Sequence, residues 1–271
     1  MTTTPVALVT GATSGIGKAA ARALAEAGFE VIGTGRNAAR IPAPPRGVTL
    51  LDLDVSDDSS VSTLVQRVID RFGRIDVLVN NAGIGSAGAA EESSVAQAQR
   101  VFDINVFGVM RMTKAVLPHM RAQGGGRIIN LSSVLGFLPA PYGAVYAATK
   151  HAIEGYSESL DHEVREYGVR VLLVEPAYTK TGFDANIVQP DAPLPIYEQQ
   201  RRVADEIIAA AIASGDDPAV VAKVIVAAAT DARPRLRYTA GPLAGRVRTL
   251  RRIAPARAFD RQIRKLNRLA G

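Results

Sequence analysis

The chain has 271 residues, 47% hydrophobic and 21% charged, with a mean hydropathy of +0.09, a balance that excludes an intrinsically disordered protein and is ample for one large buried core. It contains no cysteine, which removes disulfides, thiolate metal sites, iron–sulfur clusters and cysteine nucleophiles at once. The net charge of +6 is unevenly held: residues 233–271 carry 12 Lys and Arg against one acid, Asp260, or +11, and the rest of the chain sums to −5.

The first apolar run, residues 5–9, is too short for the core of a signal peptide and stops at a glycine-rich turn, so a cytoplasmic protein is expected. No stretch reaches membrane-spanning length. Short β-branched runs at 6–9, 30–34, 48–53, 76–79, 127–131 and 169–174 predict six strands, and helix-compatible segments fill the intervals. That alternation predicts an α/β fold with a parallel sheet. Strands apolar at nearly every position need cover on both faces, which favours an open doubly wound sheet over a barrel. Residues 236–239 predict a seventh strand, and 244–269 reads as one or two Arg-rich helices interrupted at Pro255.

No repeat or linker divides the chain, so residues 1–271 are expected to form a single domain. Segment 177–215 breaks the rhythm with Pro190, Pro193 and Pro195 before a predicted helix at 197–213. A long excursion after the sixth strand is well placed to serve as a substrate lid, and residues 243–271 form a basic C-terminal helical extension. Tyr178, Phe183, Ile187, Val188, Leu194, Ile196 and Tyr197 supply apolar surface for a bulky hydrophobic substrate, or simply pack the lid onto the body.

The first strand runs into Thr10-Gly11-Ala12-Thr13-Ser14-Gly15-Ile16-Gly17 and then directly into an alanine-rich helix at 18–27. Each glycine has its own physical reason: a tight turn at Gly11, close approach of a pyrophosphate at Gly15, and helix packing at Gly17. The helix dipole would face the phosphates, and Thr13 and Ser14 add hydroxyl donors. The second strand ends Gly33-Thr34-Gly35-Arg36, where an NAD-preferring protein would place an acid on the adenosine ribose. A guanidinium there suits a 2′-phosphate, so NADP(H) is favoured over NAD(H). Asp54 ends the third strand and could accept from the adenine amino group or cap the following helix.

Tyr146 and Lys150 lie four apart and share a face if helical. Asn130-Leu131-Ser132-Ser133 closes the preceding strand and Asn80-Asn81-Ala82-Gly83 the one before, so all converge on one crevice. Together with the glycine turn and Asn105, these motifs resemble the short-chain dehydrogenase/reductase family over roughly residues 5–182. That resemblance implies a Rossmann fold, a small carbonyl or alcohol substrate, and assembly as a homodimer or homotetramer. It implies Asn105, Ser133, Tyr146 and Lys150 as catalytic residues. For the coenzyme it implies Gly11, Thr13, Ser14, Gly15, Ile16, Gly17, Arg36, Asp54, Val55, Asn81, Ala82, Gly83, Tyr146, Lys150, Pro176 and Thr181. Ser133 is preferred to Ser132 because it precedes Tyr146 by 13 positions, the family's usual separation. Asn105 would, by resemblance, hold a helix distortion and a water leading protons to Lys150. Pro176-Ala177-Tyr178-Thr179-Lys180-Thr181 departs from the family's Pro-Gly-x-Val-x-Thr at two places. The C-terminal segments at 235–238 and 255–261 resemble the hydroxysteroid-dehydrogenase-like branch, which implies steroid- or lipid-like ketones.

The residue types suit carbonyl reduction, which needs hydride at carbon and a proton at oxygen. A tyrosine with a pKa of about 10 is a poor acid at neutral pH. An ammonium at about 4 Å offers up to roughly 4 kcal/mol at an effective dielectric of 20, near three pKa units. Lys150 is therefore expected to draw Tyr146 toward neutrality. His119, His151 and His162 form no metal-binding pattern, so no metal is expected, and Ser133 lacks the nucleophile-elbow context of a hydrolase. A different class of function is a non-catalytic NADP(H)-binding regulator whose basic C-terminus docks elsewhere. Nucleic acid is the less favoured partner for that terminus, and peripheral contact with a membrane is the other.

Overall fold

The computed structural model describes residues 4–41, 44–183 and 186–269. Residues 184 and 185 of the predicted lid and 270 and 271 of the predicted extension lie outside these, as do residues 1–3, 42 and 43 of the predicted single domain. The strands are β1 (Val6–Val9), β2 (Glu30–Gly35), β3 (Val48–Asp52), β4 (Val77–Asn80), β5 (Gly85–Ser86), β6 (Gly126–Leu131), β7 (Val169–Pro176), β8 (Ile187–Val188) and β9 (Arg237–Ala240). Seven pair in parallel in the order β3-β2-β1-β4-β6-β7-β9, the expected doubly wound α/β sheet of one domain. The predicted strands are all present, with bounds shifted by one or two residues.

The sheet is buried on both faces because side chains alternate along apolar strands. Ala7 and Val9 join Val31, Val79, Ile129 and Val174 on one face, under α1 (Gly15–Glu26) and α7 (Pro218–Thr230). Val6 and Leu8 join Ile32, Leu78, Ile128 and Val171 on the other. That face is covered by α2 (Asp58–Phe72), α4 (Gly108–Ala122) and α5 (Ala144–Val164). Local chemistry sets the helix ends: Asp57 accepts from Ser59 N at 2.7 Å to start α2, and Gly73, at φ 71°, stops it.

Helix α3 (Val95–Phe102) runs into α4 through a π-helical turn at Asp103–Phe107. The excursion after β7 contains β8, a 3₁₀ turn at Pro195–Tyr197 and α6 (Glu198–Ala213). Strand β8 pairs with β5, a two-stranded parallel ladder that the sequence pattern did not predict. The C-terminal segment is two helices, α8 (Pro242–Ile253) and α9 (Ala256–Leu266), separated at Pro255 as expected. No helix among the described residues is long and apolar enough to cross a membrane.

Candidate active site

The carboxyl ends of β1, β4, β6 and β7 meet at one edge of the sheet. Gly11 and Gly15 take φ values of +67° and +51°, which side chains adopt only with strain, so the β1–α1 turn is tight. A β-carbon on Gly17 would collide with the Gly11 carbonyl and Asn81 Nδ2. One on Gly35 would lie 2.7 Å from Thr13 Cγ2. Asn81 fastens this turn to β4, its Nδ2 donating to the Thr10 and Gly11 carbonyls at 2.9 and 3.1 Å. Thr10 Oγ1 accepts from the backbone N–H groups of Asn81 and Ala82, both at 3.0 Å. Thr10 lies outside the predicted set, since a buried threonine at a strand end has no signature of its own.

Ser14 is the N-cap of α1 but makes no side-chain cap hydrogen bond, so the first-turn N–H groups at Gly15, Ile16 and Gly17 face outward with the positive end of the helix dipole. This donor set, beside a glycine cradle that any side chain would fill, fits a dinucleotide pyrophosphate. Arg36 is exposed at the end of β2. Its charge helps to lower the Asp54 pKa, although the larger causes are hydrogen bonds from the Ser56 side chain and backbone. Asp54 Oδ1 accepts from Ser56 Oγ at 2.6 Å, and Val55 is buried behind it against Gly108.

Asn105 occupies the π-turn and is buried. Its Nδ2 donates to the Ile84 carbonyl at 2.8 Å and to Thr149 Oγ1 at 3.2 Å, while Oδ1 accepts from Ile84 N at 2.9 Å. The wider helical turn is what brings this side chain across to the β4–β5 loop. Gly83 lies beside it, where a β-carbon would stand 3.1 Å from Oδ1. A buried polar ladder runs beneath: Asn80 Nδ2 donates to Asn130 Oδ1 at 2.9 Å, and Asn130 Nδ2 to Ser157 Oγ at 2.8 Å. Sequence patterns mark Asn80 and Asn130 only as strand ends. Their pairing depends on the β4–β6 register, which aligns the two residues.

Ser133 follows β6 in extended backbone and caps a short 3₁₀ turn, its Oγ accepting from Leu135 N at 3.2 Å. Ser132 is buried, and its Oγ would lie 2.5 Å from a β-carbon on Gly136. Tyr146 and Lys150 lie on one face of α5, with Nζ 5.5 Å from the phenol ring centroid and donating to the Leu131 carbonyl at 2.8 Å. The Tyr146 hydroxyl makes no hydrogen bond among the described residues; its ring tilts against Phe183 with centroids 5.9 Å apart.

Electrostatics depart from the sequence expectation. Burial pushes the Tyr146 pKa above its ordinary value, helped by the nearby Tyr178 hydroxyl, and no offsetting effect comes from Lys150. Burial also pulls Lys150 down to about 8. The ammonium donates to the Leu131 carbonyl and lies over the phenol ring, and desolvation dominates both groups. Lys150 therefore does not draw the phenol toward neutrality.

The excursion meets this edge at two places. Thr181 sits against the glycine turn, its Cβ 3.1 Å from the place of a Gly15 β-carbon, while the preceding Pro176 ends β7 buried. Glu92, fully buried, is a hub that the sequence did not reveal. It accepts from Ala89 N at 2.9 Å and Leu194 N at 2.7 Å and pairs with Arg201 of α6. Of the apolar residues expected to line a pocket, Tyr178 and Phe183 stand near Tyr146. Leu194 and Ile196 do not join them: they are 36% and 81% exposed, because the prolines around them turn the chain outward.

An open parallel sheet with a glycine cradle, and a serine, tyrosine and lysine at its carboxyl edge, defines a nucleotide-binding oxidoreductase. Residues 5–192 match the family model described as short chain dehydrogenase, and the chain belongs to that family. A 3-ketodihydrosphingosine reductase of Bacteroides thetaiotaomicron is 44% identical over 182 residues, 67% of this chain and 66% of that protein, so the matched part spans just under two thirds of the reductase. A short-chain dehydrogenase of Streptomyces avermitilis is 34% identical, with a TM-score of 0.85 over 99% of this chain and 98% of its own. A family member from Burkholderia phymatum, solved in complex with NAD, is 30% identical with a TM-score of 0.79, covering 91% and 92% of the two chains.

Proposed function

We propose that this oxidoreductase uses NADP(H) to interconvert a carbonyl and an alcohol on a bulky, hydrophobic, steroid- or lipid-like substrate, with Tyr146 as general acid in reduction and base in oxidation. One observation carries the reading: a phenol whose hydroxyl has no partner among the described residues stands beside a buried ammonium, at the sheet edge that holds the glycine cradle. Bound nicotinamide would supply or accept the hydride. Tyr146 Oη would move the proton at the substrate oxygen, and Ser133 Oγ would hydrogen-bond that oxygen in the alkoxide-like transition state. Lys150, largely charged at neutral pH with a pKa of about 8, would favour the phenolate once the proton leaves. Asn105 would position the β4–β5 loop through Ile84.

For the coenzyme, Gly11, Thr13, Ser14, Gly15, Ile16 and Gly17 would hold the pyrophosphate, Arg36 the 2′-phosphate, and Asp54 with Val55 the adenine. Asn81, Ala82, Gly83, Tyr146, Lys150, Pro176 and Thr181 would hold the ribose and nicotinamide. The preference for NADP(H) rests on Arg36 replacing an acid; the Burkholderia phymatum relative carries NAD. Residues 177–215 would close over the substrate as a lid. Support for a lipid-like ketone comes from Tyr178 and Phe183 beside Tyr146 and from the name of the Bacteroides relative. Assembly as a homodimer or homotetramer through the helices around Asn105 and Tyr146 belongs to the same reading, with Phe107 presenting exposed apolar surface there.

The test is Tyr146→Phe, assayed by loss of reduced-nicotinamide absorbance against a panel of ketones and alcohols. Turnover should fall at least ~10²-fold while coenzyme affinity is kept. Full activity in the variant would refute the assignment.

A further inference from the structure

The basic C-terminal segment takes no part in the chemistry above, yet its charge is not used up internally. Arg237 pairs with Glu154, Glu158 and Glu175, and Arg248 with Glu175. Arg268 reaches Glu206 of α6 at 3.6 Å, and Arg251 lies over the Phe259 ring. Arg246, Arg252, Arg257, Arg261 and Lys265 are exposed and enter no ion pair among the described residues.

Large apolar side chains stand among these cations. Leu243, Leu250 and Ile253 of α8 are 51%, 48% and 71% exposed, and Leu266 of α9 is 59% exposed. At about 100° per residue, the three α8 residues and Arg246 fall within one sector of the helix. On α9, Phe259, Ile263 and Leu266 occupy one side and Arg257, Arg261 and Lys265 the other. Phe259 packs on the body beside Val134, Leu138 and Ala244, so the outer end of that apolar side is left uncovered.

We infer that α8 and α9 dock the protein on an anionic lipid bilayer, the cations meeting headgroup phosphates while Leu250 and Ile253 enter the interface. Exposed leucines and isoleucine add nothing to binding a phosphodiester rod, but they deepen attachment to acyl chains. A second copy of the chain is disfavoured as occupant, since residues 242–266 carry eight Lys and Arg against one acid, Asp260, and two such surfaces would repel each other. Position adds to the argument. The helices pack on residues 134–138, just after Ser133, and on Ala177, just after Pro176. A bilayer held by this surface would lie close to the wall of the candidate site, where an apolar substrate could pass from membrane to cleft.

Flotation of the full chain with phosphatidylcholine vesicles, with and without about 30% phosphatidylglycerol, tests the inference. Binding should rise at least ~10-fold with the anionic lipid and fall again in about 0.5 M salt. Arg257→Gln/Arg261→Gln/Lys265→Gln should lose at least ~10-fold in affinity, and Leu250→Ser/Ile253→Ser should weaken binding several-fold. Thermal unfolding midpoints close to wild type would establish that both variants are folded, and a destabilised one would be replaced by Arg246→Gln/Arg252→Gln. Equal binding to neutral vesicles, no binding at all, or binding indifferent to the helix substitutions would overturn the proposal. So would tight association with a DNA duplex, unaffected by the Ser variant and not displaced by anionic vesicles.

Discussion

A Lys150→Met substitution should stabilise the coenzyme-free protein at neutral pH while abolishing turnover. The Lys150 ammonium is buried, and its pKa falls from 10.5 to about 8. Because the folded value lies below the unfolded one, the unfolded chain binds the proton more tightly. Stability is therefore withheld at pH values below 8 and returns as pH climbs from 8 to 10.5. Applied to these two pKa values, the linkage relation gives a penalty of about 3 kcal/mol at pH 7 and about 1 kcal/mol at pH 10. Methionine keeps an unbranched chain in the same channel but gives up the bond from Nζ to the Leu131 carbonyl, about 1 kcal/mol at either pH. The variant should thus gain about 2 kcal/mol at pH 7 and little or nothing at pH 10. Urea unfolding of both proteins at the two pH values measures this directly. A stability difference that does not change between pH 7 and pH 10 would refute the view that an unsolvated ammonium is held in this site at the expense of the fold.

Other expectations follow from the same geometry. Arg36→Ala should reduce the preference for NADPH over NADH at least ~10-fold in kcat/KM, and an unchanged ratio would remove Arg36 from the coenzyme site. Gly17→Ala forces a methyl group against the Gly11 carbonyl and Asn81 Nδ2, so calorimetric coenzyme affinity should drop at least ~10-fold, with a loss of about 1–3 kcal/mol in stability; normal affinity would contradict the cradle. Glu92→Gln leaves Arg201 without its counter-charge and a buried N–H without its acceptor, a cost of about 2–4 kcal/mol borne by the excursion. Hydrogen exchange should quicken over residues 187–201 and KM should rise more than kcat falls; unaltered exchange there would sink the idea that Glu92 anchors the excursion.

The sheet was legible because Val6–Val9, Ile128–Leu131 and Val169–Val174 are apolar at nearly every position, Asn130 and Arg170 excepted, as parallel strands covered on both faces are. The helix break at Pro255 was equally plain, since proline ends one helix and can begin the next. Candidate site residues were identifiable where a motif compresses them into few positions, as in Gly11–Gly17 and Tyr146–Lys150. What escaped depends on long-range placement. Strands β5 and β8 have two residues each, too few for any periodicity, and exist only because the excursion returns alongside residue 85. Glu92 and Arg201 are 109 positions apart, and nothing near either marks a buried pair. The sequence puts Lys150 one turn from Tyr146 but does not give the depth of either, and depth decides the direction in which both groups titrate.

The contact between Thr181 and Gly15 joins the root of the excursion to the floor of the nucleotide cradle. A side chain at position 15 would therefore press on Thr181 as well as strain the turn, so that any change in the cradle is passed directly to the root of the excursion.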